Sequence, residues 1–190
     1  MSDHLKRTQR EVYRNIRERI TYEYRRNTSR RICNRIKQLD IFRKAKHIAL
    51  YHATNGEVDL HDIWRSVPLH GKYCYFPVIQ ADRQLHFVPA TPATTFTRNK
   101  YNIEEPQVDL SHSIDPQRLD IILMPLVAFD EYGTRLGMGG GYYDKSLSTV
   151  NHPVLIGVAY EFQHTDFINP DTWDIKMSAV VTELKTYWIK

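Results

Sequence analysis

Residues Leu119 to Lys145 read LDIILMPLVAFDEYGTRLGMGGGYYDK. The first part of this stretch, as far as Phe129, is the most apolar segment of the chain and predicts a buried strand. The second part holds five of the eight glycines of the protein, and a helix is expected after them. A buried strand that leads through a glycine-rich turn into a helix is typical of an α/β fold.

Segments on both sides of this stretch repeat the alternation of strands and helices. The predicted strands are His47–Ala53, Tyr73–Ile79, Gln84–Val88, Val154–Tyr160 and Ala179–Leu184, and the predicted helices are His4–Tyr24, Thr28–Gln38 (N-cap Asn27, Thr28 or Ser29) and a segment through Ile63, Trp64 and Val67. This order predicts a three-layer α/β fold, with a mainly parallel sheet and helices on both faces. Ligands bind such sheets beyond the carboxyl ends of the strands, which places the expected site in the loops after Ala53 and Phe129. Residues 90–116 show little periodicity and predict an irregular excursion over the surface.

Length and composition limit the possible classes of protein. A chain of 190 residues with 42% hydrophobic residues suits one globular domain, residues 1–190, better than two. No stretch approaches the roughly 20 apolar residues of a membrane-spanning helix, and the basic N-terminus lacks the apolar core of a signal peptide. Cys33 and Cys74 lie far apart in the sequence and suggest neither a disulfide framework nor a zinc site. We therefore expect a protein of the reducing cytoplasm that does not enter a membrane.

Basic residues crowd the segment between Lys6 and Arg35, although the net charge of the chain is only +4. Val12, Ile16 and Ile20 recur there at helical spacing and arginines occupy the other faces, which predicts a basic amphipathic helix over about 4–24. A helix of this kind suits an anionic partner. Composition leaves three interpretations open: nucleic acid, a phosphorylated small molecule, or a helix face that water merely solvates.

The glycine-rich turn, Gly137 to Gly141, could bind phosphate. Glycine lets backbone amides approach an anion closely, and a turn between a strand and a helix presents several N–H donors. The spacing matches neither GxxxxGK(S/T) nor a clean GxGxxG after a strand. Residue spacing alone therefore leaves a tight turn and a phosphate cradle as equally good interpretations.

Further motifs lie along most of the chain. They are Lys6 and Arg10, GEVDL at Gly56–Leu60, GKYCYFP at Gly71–Pro77, EP at Glu105–Pro106, LDIILMPLVAFD at Leu119–Asp130, and WDIKMSAVVTE at Trp173–Glu183. Together with the glycine-rich turn, and in this order, they resemble the 5-formyltetrahydrofolate cyclo-ligases, also called methenyltetrahydrofolate synthetases. The resemblance implies a NagB/RpiA/CoA-transferase-like fold. It also favours phosphate binding over a merely tight turn.

The resemblance implies conversion of 5-formyltetrahydrofolate to 5,10-methenyltetrahydrofolate with ATP and Mg²⁺, and release of ADP and phosphate. In that reaction the γ-phosphoryl group moves to the formyl oxygen, and a neighbouring folate nitrogen attacks the resulting iminophosphate. The implied partners are ATP and a folate that can carry a polyglutamate tail. Nucleic acid and membranes are not among them, and a monomer is expected. The basic N-terminal helix would then form part of the ATP site.

The resemblance also implies roles for individual residues. The implied ATP-binding residues are Lys6, Arg10, Arg135, Gly137, Met138, Gly139, Gly140, Gly141, Tyr142 and Tyr143; Arg135 and Tyr142 are catalytic; and the folate-binding residues are His52, Glu57, Met138 and Tyr142. Arg14 is an alternative to Arg10 in the contact with phosphate. One of the two tyrosines is expected to pack in the core.

Two aspartates resemble the magnesium ligands of the family, Asp144 just after the glycine-rich turn and Asp174 near the C-terminus. Carboxylate oxygens suit Mg²⁺, which otherwise keeps water and phosphate oxygens. Without the resemblance, an aspartate at a helix start is better explained as a charge that the helix dipole favours. Asp130 is expected to order the turn that leads to Gly133.

Overall fold

The computed structural model describes residues 2–190, and a seven-stranded sheet forms the centre of the protein. The helices are α1 (Ser2–Arg19), α2 (Tyr22–Gln38), α3 (Asp40–Lys44), α4 (His61–Ser66) and α5 (Tyr142–Leu147). The strands are β1 (His47–Ala49), β2 (Tyr73–Ile79), β3 (Leu85–Ala90), β4 (Phe96–Arg98), β5 (Glu104–Pro106), β6 (Ile121–Pro125), β7 (Ala128–Phe129), β8 (Arg135–Leu136), β9 (Val154–Val158), β10 (Ala179–Val181) and β11 (Thr186–Trp188).

The strand order of the central sheet is β11-β10-β9-β6-β1-β2-β3. All inner pairs from β10 to β2 are parallel, whereas the edge strands β3 and β11 pair antiparallel with their neighbours. The parallel strands therefore end at one common edge, where the loops after β1 and β6 begin. The predicted mainly parallel α/β sheet is confirmed.

Apolar layers cover both faces of this sheet. Along β6, Ile121 and Leu123 belong to one buried cluster, while Ile122 and Met124 belong to the other, because successive side chains of a strand point to opposite faces. The first cluster includes residues of α2, α3 and α4, and the second includes Leu147 of α5. Helices thus lie on both faces, as the sequence predicts.

The N-terminal segment forms two helices, and their boundary differs from the prediction. Helix α1 ends at Arg19, whereas the sequence predicts a helix over about 4–24. Thr21 has extended torsions (φ −67°, ψ 154°) and its hydroxyl accepts a hydrogen bond from the Tyr24 amide, so Thr21 is the N-cap of α2. The prediction of the N-cap is therefore wrong. The three predicted caps lie inside α2 instead: Asn27, Thr28 and Ser29. A single threonine in a continuous polar helical pattern is too weak a signal to place this break.

Smaller differences concern the strands. The predicted strand Leu119–Phe129 is divided into β6 and β7, because the chain leaves the central sheet after Pro125 and pairs with β8. The predicted irregular excursion, residues 90–116, contains the antiparallel pair β4–β5. Strand β11 is absent from the prediction, because a strand of three residues is too short to show periodicity.

Membrane-spanning segments were sought among the helices of residues 2–190. None of these helices has the length and apolar character that crossing a membrane requires.

Candidate active site

The glycine-rich turn lies between β8 and α5, close to the edge where the parallel strands end. Gly139 and Gly141 have φ angles of +98° and +66°. Residues with a side chain rarely adopt such angles, so both positions favour glycine on conformational grounds. The shape of the turn therefore explains part of the glycine concentration, and its amides remain available for a ligand to bind.

Asp130 orders the chain ahead of this turn, as the sequence predicts. Its Oδ1 accepts hydrogen bonds from the amides of Tyr132 and Thr134 at 3.0 and 2.9 Å, and its Oδ2 accepts one from the Ile168 amide at 2.9 Å. The residue is fully buried. Asp130 therefore has a structural role, stabilising the connection between β7 and β8.

Two cationic side chains of helix α1 contact the candidate site, Arg10 at the glycine-rich turn and Lys6 at the loop that holds Asp171 and Asp174. Arg10 Nε donates a hydrogen bond to the carbonyl oxygen of Gly137 at 2.9 Å. Lys6, which is only 7% exposed, donates to Asp171 Oδ2 at 2.7 Å and lies 3.7 Å from Asp174 Oδ2. The structure thus brings Lys6 and Arg10 next to the loops that carry the other predicted site residues.

Arg135 and Asp144 form an ion pair beside the turn. Arg135 Nη2 lies 2.8 Å from Asp144 Oδ1. Arg135 Nη1 also donates to the carbonyl oxygen of Ile175 at 2.8 Å, and the Ile175 amide donates to Asp144 Oδ1 at 3.1 Å. These bonds join the start of β8, the start of α5 and the loop that contains Asp174.

The two predicted metal ligands lie in adjoining parts of the structure but do not form a ready metal cluster. Asp174 Oδ2 accepts a hydrogen bond from the Asp171 amide at 2.8 Å, whereas Asp144 is engaged by Arg135 and Ile175. Among residues 4–190, whose side chains the structure describes, no group of three or more His, Cys, Asp or Glu side chains is arranged to hold a metal ion. A cation at Asp144 would therefore need further oxygen ligands from a bound phosphate or from water.

Glu57 lies in the loop after β1 and is 7% exposed. Its Oε2 accepts hydrogen bonds from the amide and the hydroxyl of Thr54 at 3.0 and 3.4 Å, and its Oε1 lies 3.7 Å from Arg17 Nη2. Burial raises the pKa of Glu57, while Arg17 and the Thr54 hydrogen bonds oppose this rise. The carboxylate is thus held in a fixed orientation at a site where its charge is costly.

His52 packs within an aromatic cluster. Its ring stacks on Phe76 with centroids 4.6 Å apart and meets Phe96 edge-on at 4.5 Å. Burial lowers the pKa of His52, and Glu104, whose carboxylate lies 3.7 Å from Nδ1, opposes that decrease. The Nε2 atom is buried and has no hydrogen-bond partner among residues 2–190. His52 lines a cavity of about 30 Å³ that does not include Glu57, so the structure does not bring these two predicted folate contacts into one pocket.

The tyrosines after the turn have different surroundings. The Tyr142 hydroxyl is hydrogen-bonded to the Tyr101 hydroxyl at 2.8 Å. Burial, and then the Glu57 carboxylate, raise the pKa of the Tyr143 hydroxyl, while Arg135 opposes the increase. Both rings pack partly against the second apolar cluster, so core packing does not distinguish them. Their hydroxyl groups do: Tyr142 faces the β4–β5 connection, and Tyr143 lies near Glu57 and Arg135.

Arg17 is a site residue that the sequence analysis missed, and it is 2% exposed. Its Nε donates to the carbonyl oxygen of Asn55 at 2.8 Å, and its Nη1 donates to that of Leu126 at 3.1 Å. Its Nη2 lies 3.7 Å from Glu57 Oε1 and 4.0 Å from Met138 Sδ. One guanidinium group therefore joins α1, the loops after β1 and β6, and the glycine-rich turn.

A signal for Arg17 exists in the spacing of α1. Lys6, Arg10, Tyr13 and Arg17 lie at helical intervals on one face, and that face meets the protein. The apolar residues Val12 and Ile16 are instead 49% and 42% exposed. Arg14, the alternative to Arg10, is also exposed. Apolar periodicity therefore predicts the wrong buried face for this helix, because charged side chains make most of its tertiary contacts.

Known proteins resemble this chain over most of its length. Residues 2–183 match the model of the 5-formyltetrahydrofolate cyclo-ligase family. The 5-formyltetrahydrofolate cyclo-ligase of Escherichia coli K12 is 36% identical over 151 residues, which cover 75% of this chain and 81% of that protein. The protein of the same name from Haemophilus influenzae is 34% identical over 139 residues, covering 71% and 74%.

Solved structures agree with this assignment. The 5,10-methenyltetrahydrofolate synthetase of Aquifex aeolicus superposes with a TM-score of 0.86 at 33% identity, over 98% of this chain and 93% of that one. The synthetase of Mycoplasma pneumoniae has a TM-score of 0.77 at 23% identity, over 94% and 98%, and supports the fold alone. The sequence-based recognition is therefore confirmed, and the chain is an enzyme that belongs to the 5-formyltetrahydrofolate cyclo-ligase family.

Proposed function

We propose that this chain uses ATP and Mg²⁺ to convert 5-formyltetrahydrofolate to 5,10-methenyltetrahydrofolate, with release of ADP and phosphate. Membership of the family supports the folate substrate and the ring closure. The contact between Arg10 and the carbonyl oxygen of Gly137 carries the ATP part of the proposal. It sets a cationic helix face against a glycine-rich turn, and this combination suits phosphate.

The proposed chemistry proceeds through a phosphorylated formyl group. The formyl carbon of a formamide is a poor electrophile, and its oxygen is a poor leaving group. Transfer of the γ-phosphoryl group of ATP to the formyl oxygen gives an iminophosphate and ADP. The neighbouring folate nitrogen then attacks the activated carbon, the bond from carbon to the phosphorylated oxygen breaks, and phosphate leaves as the ring closes.

Phosphoryl transfer needs positioning and charge stabilisation more than a covalent nucleophile. We assign ATP binding to the amides of Gly137, Gly139, Gly140 and Gly141, to the turn residues Met138, Tyr142 and Tyr143, and to the cations Lys6, Arg10 and Arg135. Lys6 and Arg135 each contact a carboxylate in this structure. Phosphate oxygens would compete for the same N–H donors, so ATP binding would rearrange these contacts.

The folate would lie between Glu57 and the glycine-rich turn. A carboxylate such as that of Glu57 accepts hydrogen bonds from the N–H groups of a pterin ring. Tyr142 and Met138 come from the turn, and Met138 lies next to Arg17, which also contacts Glu57. The hydroxyl of Tyr142 would orient the formyl group for phosphoryl transfer. We retain His52 as a contact because its buried Nε2 has no partner among the described residues 2–190.

The residues around Asp144 can accommodate a magnesium ion, provided that phosphate oxygens and water complete its coordination. Both hydrogen bonds that the described residues 2–190 give to the Asp144 carboxylate end on Oδ1. Oδ2 is therefore the atom that we assign to the cation. Asp174 is assigned a supporting role in the same site, because the amide of the next residue, Ile175, donates a hydrogen bond to Asp144 Oδ1 at 3.1 Å. When bound, Mg²⁺ would neutralise charge on the transferring phosphoryl group.

We further propose that residues 1–190 act as one domain and as a monomer. The contacts of Lys6, Arg10 and Arg17 support this organisation, because they make the N-terminal helix part of the site. Both cysteines are free and buried, which fits the cytoplasmic location that we propose. These contacts also occupy three of the cations that first suggested nucleic acid, Lys6, Arg10 and Arg17, and no nucleic-acid partner is proposed.

The activity is tested directly with purified protein. We would mix it with 5-formyltetrahydrofolate, ATP and MgCl₂ and follow the absorption band of the methenyl product, while ADP is measured in parallel. We expect product and ADP to appear in equal amounts, and both to vanish when ATP is omitted or Mg²⁺ is chelated. The absence of an ATP-dependent increase in absorbance would refute the proposed function.

A further inference from the structure

A groove of about 770 Å³ lies between α2 and the loop after β1, and we call it the arginine groove. Its charged residues are Arg25, Arg26 and Arg30 of α2, which we call the α2 wall, and Glu57, Asp59 and Asp62 of the segment after β1, which we call the opposite wall. This volume is in the range of small-molecule sites, roughly 300–1,000 Å³. The groove therefore extends the candidate active site from Glu57 toward α2.

Hydrogen bonds fix the two walls relative to each other. The Asp59 amide donates to Ser29 Oγ at 3.0 Å, and Cys33 Sγ donates to the Asp59 carbonyl oxygen at 3.4 Å. Ser29 and Cys33 are both buried in α2. The width of the groove is thus determined by the packing of α2 against the loop, which makes it a preformed site.

The arginines of the groove have unused binding capacity. Within residues 2–190, none of Arg25, Arg26 and Arg30 forms an ion pair with a carboxylate, although Asp59 and Asp62 line the same groove. Arg26 and Arg30 lie at i,i+4 spacing, where like charges destabilise a helix. A bound anion would remove this repulsion and satisfy the guanidinium donors.

The chemistry of the folate substrate identifies the anion. A folate carries its pterin at one end and a glutamate, with α- and γ-carboxylates, at the other. If Glu57 binds the pterin end, the carboxylates lie at the far end of the same molecule, and the groove that Glu57 lines is also lined by the arginines of α2. Guanidinium groups bind carboxylates through paired hydrogen bonds, so the α2 wall has the donors that this end of the substrate needs.

The opposite wall disfavours a long polyanion. RNA or DNA lying in the groove would bring its phosphates close to Asp59 and Asp62, and like charges repel. A short dicarboxylate can contact the α2 wall alone. The distribution of charge therefore favours a small carboxylate ligand over nucleic acid.

We propose that the arginine groove binds the glutamate carboxylates of 5-formyltetrahydrofolate through Arg26 and Arg30, with Arg25 close by. This inference rests on the proposed function, since it takes the folate as the substrate. It assigns to α2 a role in substrate affinity that is separate from phosphoryl transfer.

The test compares substrates with and without the glutamate. We would measure KM for 5-formyltetrahydrofolate and for 5-formyltetrahydropteroate, which lacks the glutamate, with the wild type and with Arg26→Gln/Arg30→Gln. For the wild type, we expect KM to be roughly tenfold or more higher for the pteroate, because it cannot form the hydrogen bonds between guanidinium groups and the glutamate carboxylates, which are among the strong ones in proteins. In the double variant, we expect the ratio of the two KM values to fall toward one.

The matched control is Arg43→Gln/Arg65→Gln, which removes the same charge at exposed positions outside the groove. This control variant should keep the wild-type ratio of the two KM values. It therefore distinguishes loss of a contact in the groove from a general effect of lower net charge. A wild type that turns over both substrates with equal KM, or a double variant that keeps the wild-type ratio, overturns the proposal and leaves the proposed function intact. A third result also overturns the proposal: the wild type binds a labelled RNA oligonucleotide in a salt-sensitive way, and the double variant loses this binding but keeps the wild-type ratio of KM values. A wild type without any turnover refutes the proposed function instead.

Discussion

At the scale of single residues, Arg17 makes the contacts on which the geometry of the site depends most. Replacing it with methionine leaves the buried Glu57 carboxylate without its cation and removes the Arg17 donor from the carbonyl oxygen of Asn55, while the oxygen of Leu126 keeps a hydrogen bond from Gln163. We expect Arg17→Met to lower the free energy of unfolding by about 3–5 kcal/mol, measured by urea denaturation at neutral pH. Arg14→Met is the control on the same helix. Because the Arg14 side chain is exposed, this variant should change the free energy of unfolding by less than about 0.5 kcal/mol. Equal losses in both variants would show that the Arg17 network contributes nothing specific.

The raised pKa of Glu57 leads us to expect that increasing pH lowers the free energy of unfolding but strengthens binding of the folate. Because burial raises its pKa above the ordinary 4.5, the folded protein holds this proton more tightly than the unfolded chain. The stability that the protonated form contributes is complete below pH 4.5 and is lost as the pH rises through the raised pKa. In the proposed function the pterin binds to the ionised Glu57 carboxylate, so we expect KM for the folate to fall over the same interval.

Glu57→Gln tests this assignment. The variant should raise KM for 5-formyltetrahydrofolate about tenfold or more, since a hydrogen bond to a charged group is lost, and should remove the pH dependence that Glu57 causes. Glu18→Gln, at an exposed position of α1, should keep the wild-type KM and its dependence on pH. If KM for the Glu57→Gln variant still varied with pH as in the wild type, another group would be responsible. The measurement is a series of KM values across pH for all three proteins.

Asp144 is the residue that tests magnesium binding. Asp144→Asn keeps the size of the side chain but removes the charge that would hold the cation. We expect the concentration of Mg²⁺ needed for half-maximal turnover to rise by about 10–100-fold. Asp40→Asn, a change at an exposed carboxylate near the start of α3, should leave the Mg²⁺ titration unchanged. A wild-type titration for Asp144→Asn would mean that Asp144 serves only to pair with Arg135.

At the scale of elements, two glycine substitutions distinguish an effect on ATP binding from an effect on stability alone. One lies in the glycine-rich turn and the other in a different turn. Gly139 and Gly71 both have positive φ (+98° and +66°), and an added Cβ at either position would meet nothing closer than 3.8 Å. Gly71→Ala should therefore lose roughly 1–2 kcal/mol of stability from backbone strain, and Gly139→Ala at least as much, because +98° lies outside the left-handed region that other residues adopt. Only Gly139→Ala should also raise KM for ATP, because its strain would move the amides to which we assign phosphate binding. Equal KM values for ATP in the two variants would count against ATP binding at this turn.

Elements were predictable from sequence where one local pattern determined them. Strand β2 occupies its predicted bounds, Tyr73–Ile79, because a continuous apolar run identifies a strand buried on both faces. The orientation of α1 was not predictable, because the acceptors of Arg17 belong to Asn55 and Leu126, far along the chain. Apolar spacing cannot detect a helix that packs through charged side chains.

At the scale of the whole molecule, the fold follows from the order of strands and helices. Alternation predicts the parallel centre of the sheet, but it contains no information about the antiparallel edges, which result from short connections from β2 to β3 and from β10 to β11. The candidate site was predictable in part for the same reason. Loops after β1 and β6 meet because parallel strands end at one edge, whereas the separation of His52 from the Glu57 groove depends on tertiary packing around Phe76 and Phe96.

The central claim for the whole molecule is that ATP phosphorylates the formyl oxygen of the folate bound beside the glycine-rich turn. Substrate labelled with heavy oxygen at the formyl group tests this claim most directly, since the label can be located in the products by mass spectrometry. We predict that the label appears in inorganic phosphate in equal amount to the methenyl product. Formation of the methenyl product together with unlabelled phosphate would contradict the account.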